Sequence, residues 1–193
     1  MTDADEPTNP TELSDDDWRD ELLSLRDEKD EFLGDHPQSP IPPDRRDEFD
    51  GISYFEPDSE YRVTATVETH DEPEPLELET TAGPPQRYLR TTTFHFEVGG
   101  ENCSLSAYQQ EGQESLFVPF RDKTTGQQSY EDGRYLDLHP DGALNDGDEV
   151  TLDFNLAYSP FCAYSETFSC PLPPEENWLN VAIRAGERAW DGH

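Results

Sequence analysis

The stretch Tyr61-Arg62-Val63-Thr64-Ala65-Thr66-Val67 decides the fold class. Tyr61, Val63, Ala65 and Val67 fall on one side, and Arg62, Thr64 and Thr66 on the other. A period of two is the mark of a half-buried strand, because successive side chains of an extended chain point to opposite faces. The same alternation returns in Tyr88 to Val98, where Phe94, Phe96 and Val98 share a face and His95 faces out. Gly99-Gly100 then joins that run to Cys103-Ser104-Leu105-Ser106-Ala107, as a two-residue hairpin turn would. Weaker runs follow at 76–81, 116–120 and 134–138. In 150–156, Val150, Leu152, Phe154 and Leu156 alternate with Thr151, Asp153 and Asn155. Leu179, Val181 and Ile183 suggest one last short strand. Seven to nine short strands without intervening helices predict a mainly β protein, a single antiparallel β-barrel or sandwich, with a split barrel as one version.

The N-terminal side reads differently. Residues 1–12 are acidic and polar and read as a disordered tail. From 13 to 34 the signals are helical. Ser14 is an N-cap candidate, Asp15, Asp16 and Asp17 favour the positive end of the helix dipole, and Leu13 and Trp18 sit at staple positions. Trp18, Leu22, Leu25 and Phe32 mark an apolar face, and Gly34 with Pro37 supplies a stop. Residues 35–60 form a proline-rich connector, 61–188 the β domain, and 189–193 a second tail.

Forty-five acidic residues stand against 13 basic ones, a net charge of −32, and only Lys29 and Lys123 are lysines. Such a chain lacks the basic footprint of a nucleic-acid binder and is repelled by anionic membranes. It has no run of apolar residues long enough to span a membrane and no secretory leader, so a cytoplasmic location is expected. High charge with low hydrophobicity is also a signature of disorder, but three Trp, eight Tyr and ten Phe in periodic segments argue for a folded body with an acidic coat. The coat and the scarcity of lysine suit a salt-filled cytoplasm, where ions screen self-repulsion.

Two segments break the alternation and concentrate polar and aromatic residues. In 121–135, Arg121, Asp122 and Arg134 could frame a small anionic or polar ligand, with Thr125 and Tyr130 beside them. An internal Arg–Asp network that pins the loop would use the same residues. In 153–164, Asp153 and Asn155 lie two apart on one strand face, where they would line a pocket or meet solvent, with Tyr158 and Tyr164 nearby. Asn177 and Glu187 are candidates for capping or proton transfer. Cys162 and Cys170 bracket a short loop and could form a disulfide, a thiol pair, a metal site or a catalytic centre, or simply pack as small buried groups. Cys103 belongs to a strand and its core. No histidine pair has familiar metal spacing, and no phosphate loop, nucleophile elbow or dinucleotide fingerprint is present, so cofactor and reaction stay open.

These segments resemble the signature of an uncharacterised family, domain of unknown function 1684. Its pattern runs F-x-D-x-T-x-G-x-x-T-Y-x-x-G-R-Y-L, then D-F-N-x-A-Y-N-P-x-C-A-Y, C-P-L-P-P-x-x-N and A-G-E. The resemblance covers about residues 18–188. Ser129 replaces the usual Thr, Ser159 the usual Asn, and Trp178 a basic residue. It implies a shared fold and site but no activity. The expected function is therefore a small-molecule-binding β-barrel with a site built from 121–135, 153–164 and 170–177. The alternatives are a structural or protein-interaction module without a ligand, and a Cys-based metal or redox protein.

Overall fold

The computed structural model describes residues 14–140, 142–165 and 167–190. The acidic tail at 1–12, Leu13 and the last three residues of the expected C-terminal tail lie outside them.

Six strands form one antiparallel sheet: β1 (Arg62–Leu78), β2 (Gln86–Val98), β3 (Glu101–Gln109), β4 (Leu116–Phe120), β5 (Arg134–Leu138) and β6 (Glu149–Asp153), in the order β5-β4-β3-β2-β1-β6. The sheet curls into a half-barrel. Its inner face holds the main core, built from Val63, Ala65, Val67, Phe94, Phe96, Val98, Leu105, Val118 and Leu152, as the alternation predicts. Gly99 and Gly100 both have positive φ, 60° and 80°, so the β2–β3 hairpin turns with the twist of its strands. Residues 76–81 do not start a separate strand. Through 78 they continue β1, which absorbs the acidic stretch 70–73 as a bulge between Thr69 and Glu74.

A second bulge in β2, between Arg90 and Thr92, carries one extra residue against β3. An extra residue inverts which face each later side chain occupies. Phe94 and Phe96 therefore point into the half-barrel, while Tyr88 packs with Leu78 and Tyr108 on the outer face. The outer face is thus apolar as well over this half of the sheet, and the chain from 158 to 178 crosses it.

The helix α1 (Asp15–Asp35) is capped by Ser14, whose Oγ accepts from Asp17 N at 3.2 Å. It runs one residue past Gly34. Its buried face is Trp18, Leu22, Arg26 and Leu33, and Leu25 is exposed. Spacings of four and seven residues keep these groups in one stripe, and Arg26 belongs to it because its stem packs while Nη1 donates to Phe55 O at 2.9 Å. Trp190, at the start of the expected tail, is buried with Leu33, Ile41 and Tyr164.

Two strand expectations change. The alternation at 150–156 stops at Asp153, whose carboxylate accepts from Asn155 N at 3.0 Å and turns Phe154–Leu156 into a 3-10 helix. Residues 179–183 are not a strand. They lie in an irregular segment that hydrogen-bonds to the backbone just after β4, Leu179 N to Arg121 O (2.7 Å) and Lys123 N to Val181 O (2.9 Å), with Leu179 and Ile183 in the core. Sequence shows apolar spacing but not which backbone groups find a neighbouring strand.

Candidate functional site

The polar residues of the signature do not converge on one cavity. Arg134 is 0% exposed. Its Nη1 donates to Ala185 O and to Glu187 O (3.1 Å), and its Nη2 to Ile183 O (2.8 Å) and Asp122 Oδ1 (3.4 Å). Burial lowers its pKa, and Asp122 opposes that shift. Asp122 also accepts from Thr124 Oγ1, Thr125 Oγ1 and Ile183 N. This is the internal network, not a frame for an anion. The C-terminal segment pairs with the backbone at 53–55 through Phe55 N to Gly186 O and Arg188 N to Ser53 O, while the carbonyls of Ile183, Ala185 and Glu187 share one guanidinium as donor. Arg121 instead lies over the Trp178 ring at 5.0 Å.

Asn177, also 0% exposed, stands in for a peptide group. β3 and β4 pair at Tyr108 and Phe117, which places Ser106 opposite Pro119. Proline has no N–H to give. The Asn177 side chain fills the gap, with Oδ1 accepting from Ser106 N (2.8 Å) and Nδ2 donating to Ser106 O (2.9 Å) and Pro119 O (2.7 Å). Asn155 does similar work, holding the backbone of Asp58 from both sides, and Asp153 accepts from Trp18 Nε1 at 2.8 Å. Tyr164 donates to Glu187 Oε1 at 2.5 Å, and Lys29 pairs with the same carboxylate.

Tyr130, Tyr158, Cys162 and Cys170 do come together, on the outer face. After β6 the chain crosses to the far edge of the sheet, where Tyr158 exchanges two backbone hydrogen bonds with Tyr135 of β5 (2.8 and 3.0 Å). Above this seam lies a groove of about 380 Å³ lined by Tyr88, Phe117, Tyr135, Tyr158, Phe161 and Phe168, with Cys170 among them. Tyr88 stacks on Phe117, Phe117 meets Tyr135 edge-on, and Tyr135 meets Tyr158 edge-on, with centroids 5.6, 4.6 and 5.7 Å apart. Phe161 and Phe168 form the rim and are 39% and 37% exposed. Tyr158 donates to Asp137 Oδ2 at 2.5 Å, and Lys29 lies 4.9 Å from its ring centre. Burial pushes the Tyr135 and Tyr158 hydroxyls up, so both stay protonated.

Cys162 and Cys170 are free thiols, packed with Tyr135 in one buried cluster. Tyr130 Oη donates to Cys162 Sγ at 3.5 Å. Hydrogen bonding from the Cys162 thiol, helped by the backbone amides of Cys162 and Phe161, lowers the Cys170 pKa to about 7. The Cys162 thiol is pushed up by that same hydrogen bond and by burial. The Cys170 backbone is fixed against the end of β1, with Thr81 N donating to Cys170 O (3.0 Å) and Cys170 N to Thr81 Oγ1 (3.2 Å). Among the described residues, no group of three or more His, Cys, Asp or Glu could hold a metal ion.

Tyr88, Phe117, Tyr135, Phe161 and Phe168 were not singled out from the sequence. A signal existed: Leu116-Phe117-Val118-Pro119-Phe120 and Tyr135-Leu136 are apolar at both parities, so both faces of β4 and β5 are covered. A wider cleft of about 800 Å³ opens among Thr69, Thr91, Thr92, Gln109, Pro140 and Leu144. It is rich in hydroxyl and amide groups but has no aromatic wall or thiol.

The family model described as "Protein of unknown function (DUF1684)" matches residues 47–188, well over half of the chain. The solution NMR structure of an uncharacterized protein from gene locus rrnAC0354 of Haloarcula marismortui is similar, at 60% identity and a TM-score of 0.72. The alignment covers 90% of this chain and 95% of that one. No curated protein matches.

Proposed function

The chain belongs to the DUF1684 family of proteins of unknown function, and from that premise we propose that it is a small-molecule-binding half-barrel whose ligand occupies the aromatic groove over Cys170. The observation that carries the reading is the exposed Phe161–Phe168 pair at the rim of a wall already made of stacked rings. Exposed aromatics beside a concave apolar surface favour a ligand that covers them. The charge of the site selects among ligands. Asp137 stands at the rim on the Tyr158 hydroxyl, and the chain carries −32 overall, so a flat neutral or cationic molecule fits better than the anion expected from Arg121 and Arg134.

No helix among the described residues is long and apolar enough to cross a membrane. The acidic coat serves a high-salt environment, and the 60% identical relative from Haloarcula marismortui supports that reading.

The test is a thermal-shift screen of flat neutral and cationic heteroaromatics in molar potassium chloride. Phe168→Ser alters an exposed ring and leaves Tm unchanged. It weakens the bound compound about fivefold, the worth of one aromatic contact. A screen without shifts, or a hit indifferent to both Phe168→Ser and Phe161→Ser, overturns the groove as the site. A hit that responds instead to the exposed Leu25 or Leu156 beside α1 favours the interaction-module reading.

A further inference from the structure

We propose that Cys170 and Cys162 form a peroxide-responsive dithiol at the base of the groove, cycling between two thiols and a Cys162–Cys170 disulfide. Three geometric facts carry this. Cys170 lines the groove, the side from which a small oxidant would arrive. Cys162 shares its buried cluster, so a resolving thiol is already in place. Tyr130 holds Cys162 from the other side at 3.5 Å, while Thr81 fixes the Cys170 backbone. The lowered Cys170 pKa adds thiolate at neutral pH, which is the attacking species. Cys103 lies on β3, outside that cluster, where burial and Glu101 raise its pKa, and it serves as an internal control.

The oxidant is a hydroperoxide. The Cys170 thiolate attacks one peroxide oxygen. An S–O bond forms and the O–O bond breaks. The sulfur loses two electrons to the leaving oxygen, which takes a proton from water and departs as water or an alcohol. The product is a sulfenic acid. Cys162 sulfur then attacks Cys170 sulfur, forming the S–S bond and breaking S–O. The Cys162 thiol proton leaves with the hydroxide as water. Exchange with an external dithiol restores both thiols and carries away the two electrons. The cycle rests on the groove reading only in needing the groove open to a molecule of peroxide size.

The experiment uses the full chain in a Cys103→Ser background, treated with equimolar hydrogen peroxide in high salt. The expected result is loss of both titratable thiols and of two hydrogens by intact mass, without dimer formation, and recovery with dithiothreitol. Cys162→Ser, folded by circular dichroism, accumulates a dimedone-trapped sulfenic acid at residue 170. Cys170→Ser oxidises at least about tenfold more slowly. Persistence of both thiols, equal oxidation of the two variants, or intermolecular dimers only would overturn the dithiol. Ligand shifts retained in Cys170→Ser leave the groove standing whatever the redox outcome. Oxidation without any ligand shift removes the groove reading alone.

Discussion

Replacing Asn177 by Ala is expected to unzip the sheet between β3 and β4. The amide is fully buried and makes three hydrogen bonds of 2.7 to 2.9 Å, all to backbone. Its removal orphans Ser106 N–H, Ser106 O and Pro119 O. A buried backbone group without a partner costs about 1–3 kcal/mol, and a donor suffers more than a carbonyl with a second lone pair. About 2 kcal/mol for the N–H and about 1 for each carbonyl gives a loss of about 4 kcal/mol. For a domain of this size that lowers Tm by about 10 °C. Urea unfolding at constant potassium chloride, followed by tryptophan fluorescence, measures it. Asn177→Asp is the sharper variant: it keeps the acceptor for Ser106 N–H but sets a carboxylate against two carbonyl oxygens, and it is expected to lose at least as much. A loss below about 1 kcal/mol in both variants would refute the role, because the three groups would then be finding other partners.

Three further outcomes follow from the same geometry. Gly186 has φ +81°, and a Cβ there would lie 2.6 Å from Ala157 O, so Gly186→Ala is expected to cost about 3 kcal/mol from backbone strain and overpacking, read by urea unfolding. Arg134→Met strands the buried Asp122 carboxylate and three carbonyls, and a loss of about 3–5 kcal/mol is expected; full stability would show the network to be dispensable. In the Cys103→Ser background, alkylation of Cys170 by iodoacetamide is expected to rise with a midpoint near pH 7, and a midpoint near 9 refutes the lowered pKa. The sign for stability follows. A thiol that ionises at about 7 when folded and at 9.0 otherwise adds stability as pH rises between those values, and loses it as pH falls through 7.

The sheet was legible because Val63, Ala65 and Val67 and Phe94, Phe96 and Val98 each keep a strict period on the core side. The helix was legible from Ser14 and its three aspartates. What hid was the effect of the bulges. A period-two reading assumes one unbroken register, and the extra residue near Thr91 reverses it, so Tyr88 could not be assigned to the outer face from alternation alone. The residues around the proposed groove were partly legible. The 153–164 segment does border the groove, through Tyr158 and Cys162, and Cys170 lines it. The charged residues left two readings open for a physical reason: Arg134 and Asp122 carry the chemistry of a ligand clamp, and the protein uses it on its own C-terminal backbone. Donors of that strength suit either partner, and only position decides.

That last arrangement bears on how the molecule is made. A ribosome delivers all six strands before residues 177–187 emerge, yet these carry the amide that joins β3 to β4 and the carbonyls that satisfy Arg134. For that interval the nascent sheet has an unzipped seam, and Arg134 has Asp122 but not yet its three carbonyl acceptors. Its apolar outer face is also uncovered until the 158–178 crossing arrives. The latch is the last signature element to be translated, so the half-barrel cannot commit to its final form early. During that wait the heavy negative charge holds neighbouring nascent chains apart, which gives the acidic coat a second use before folding is complete.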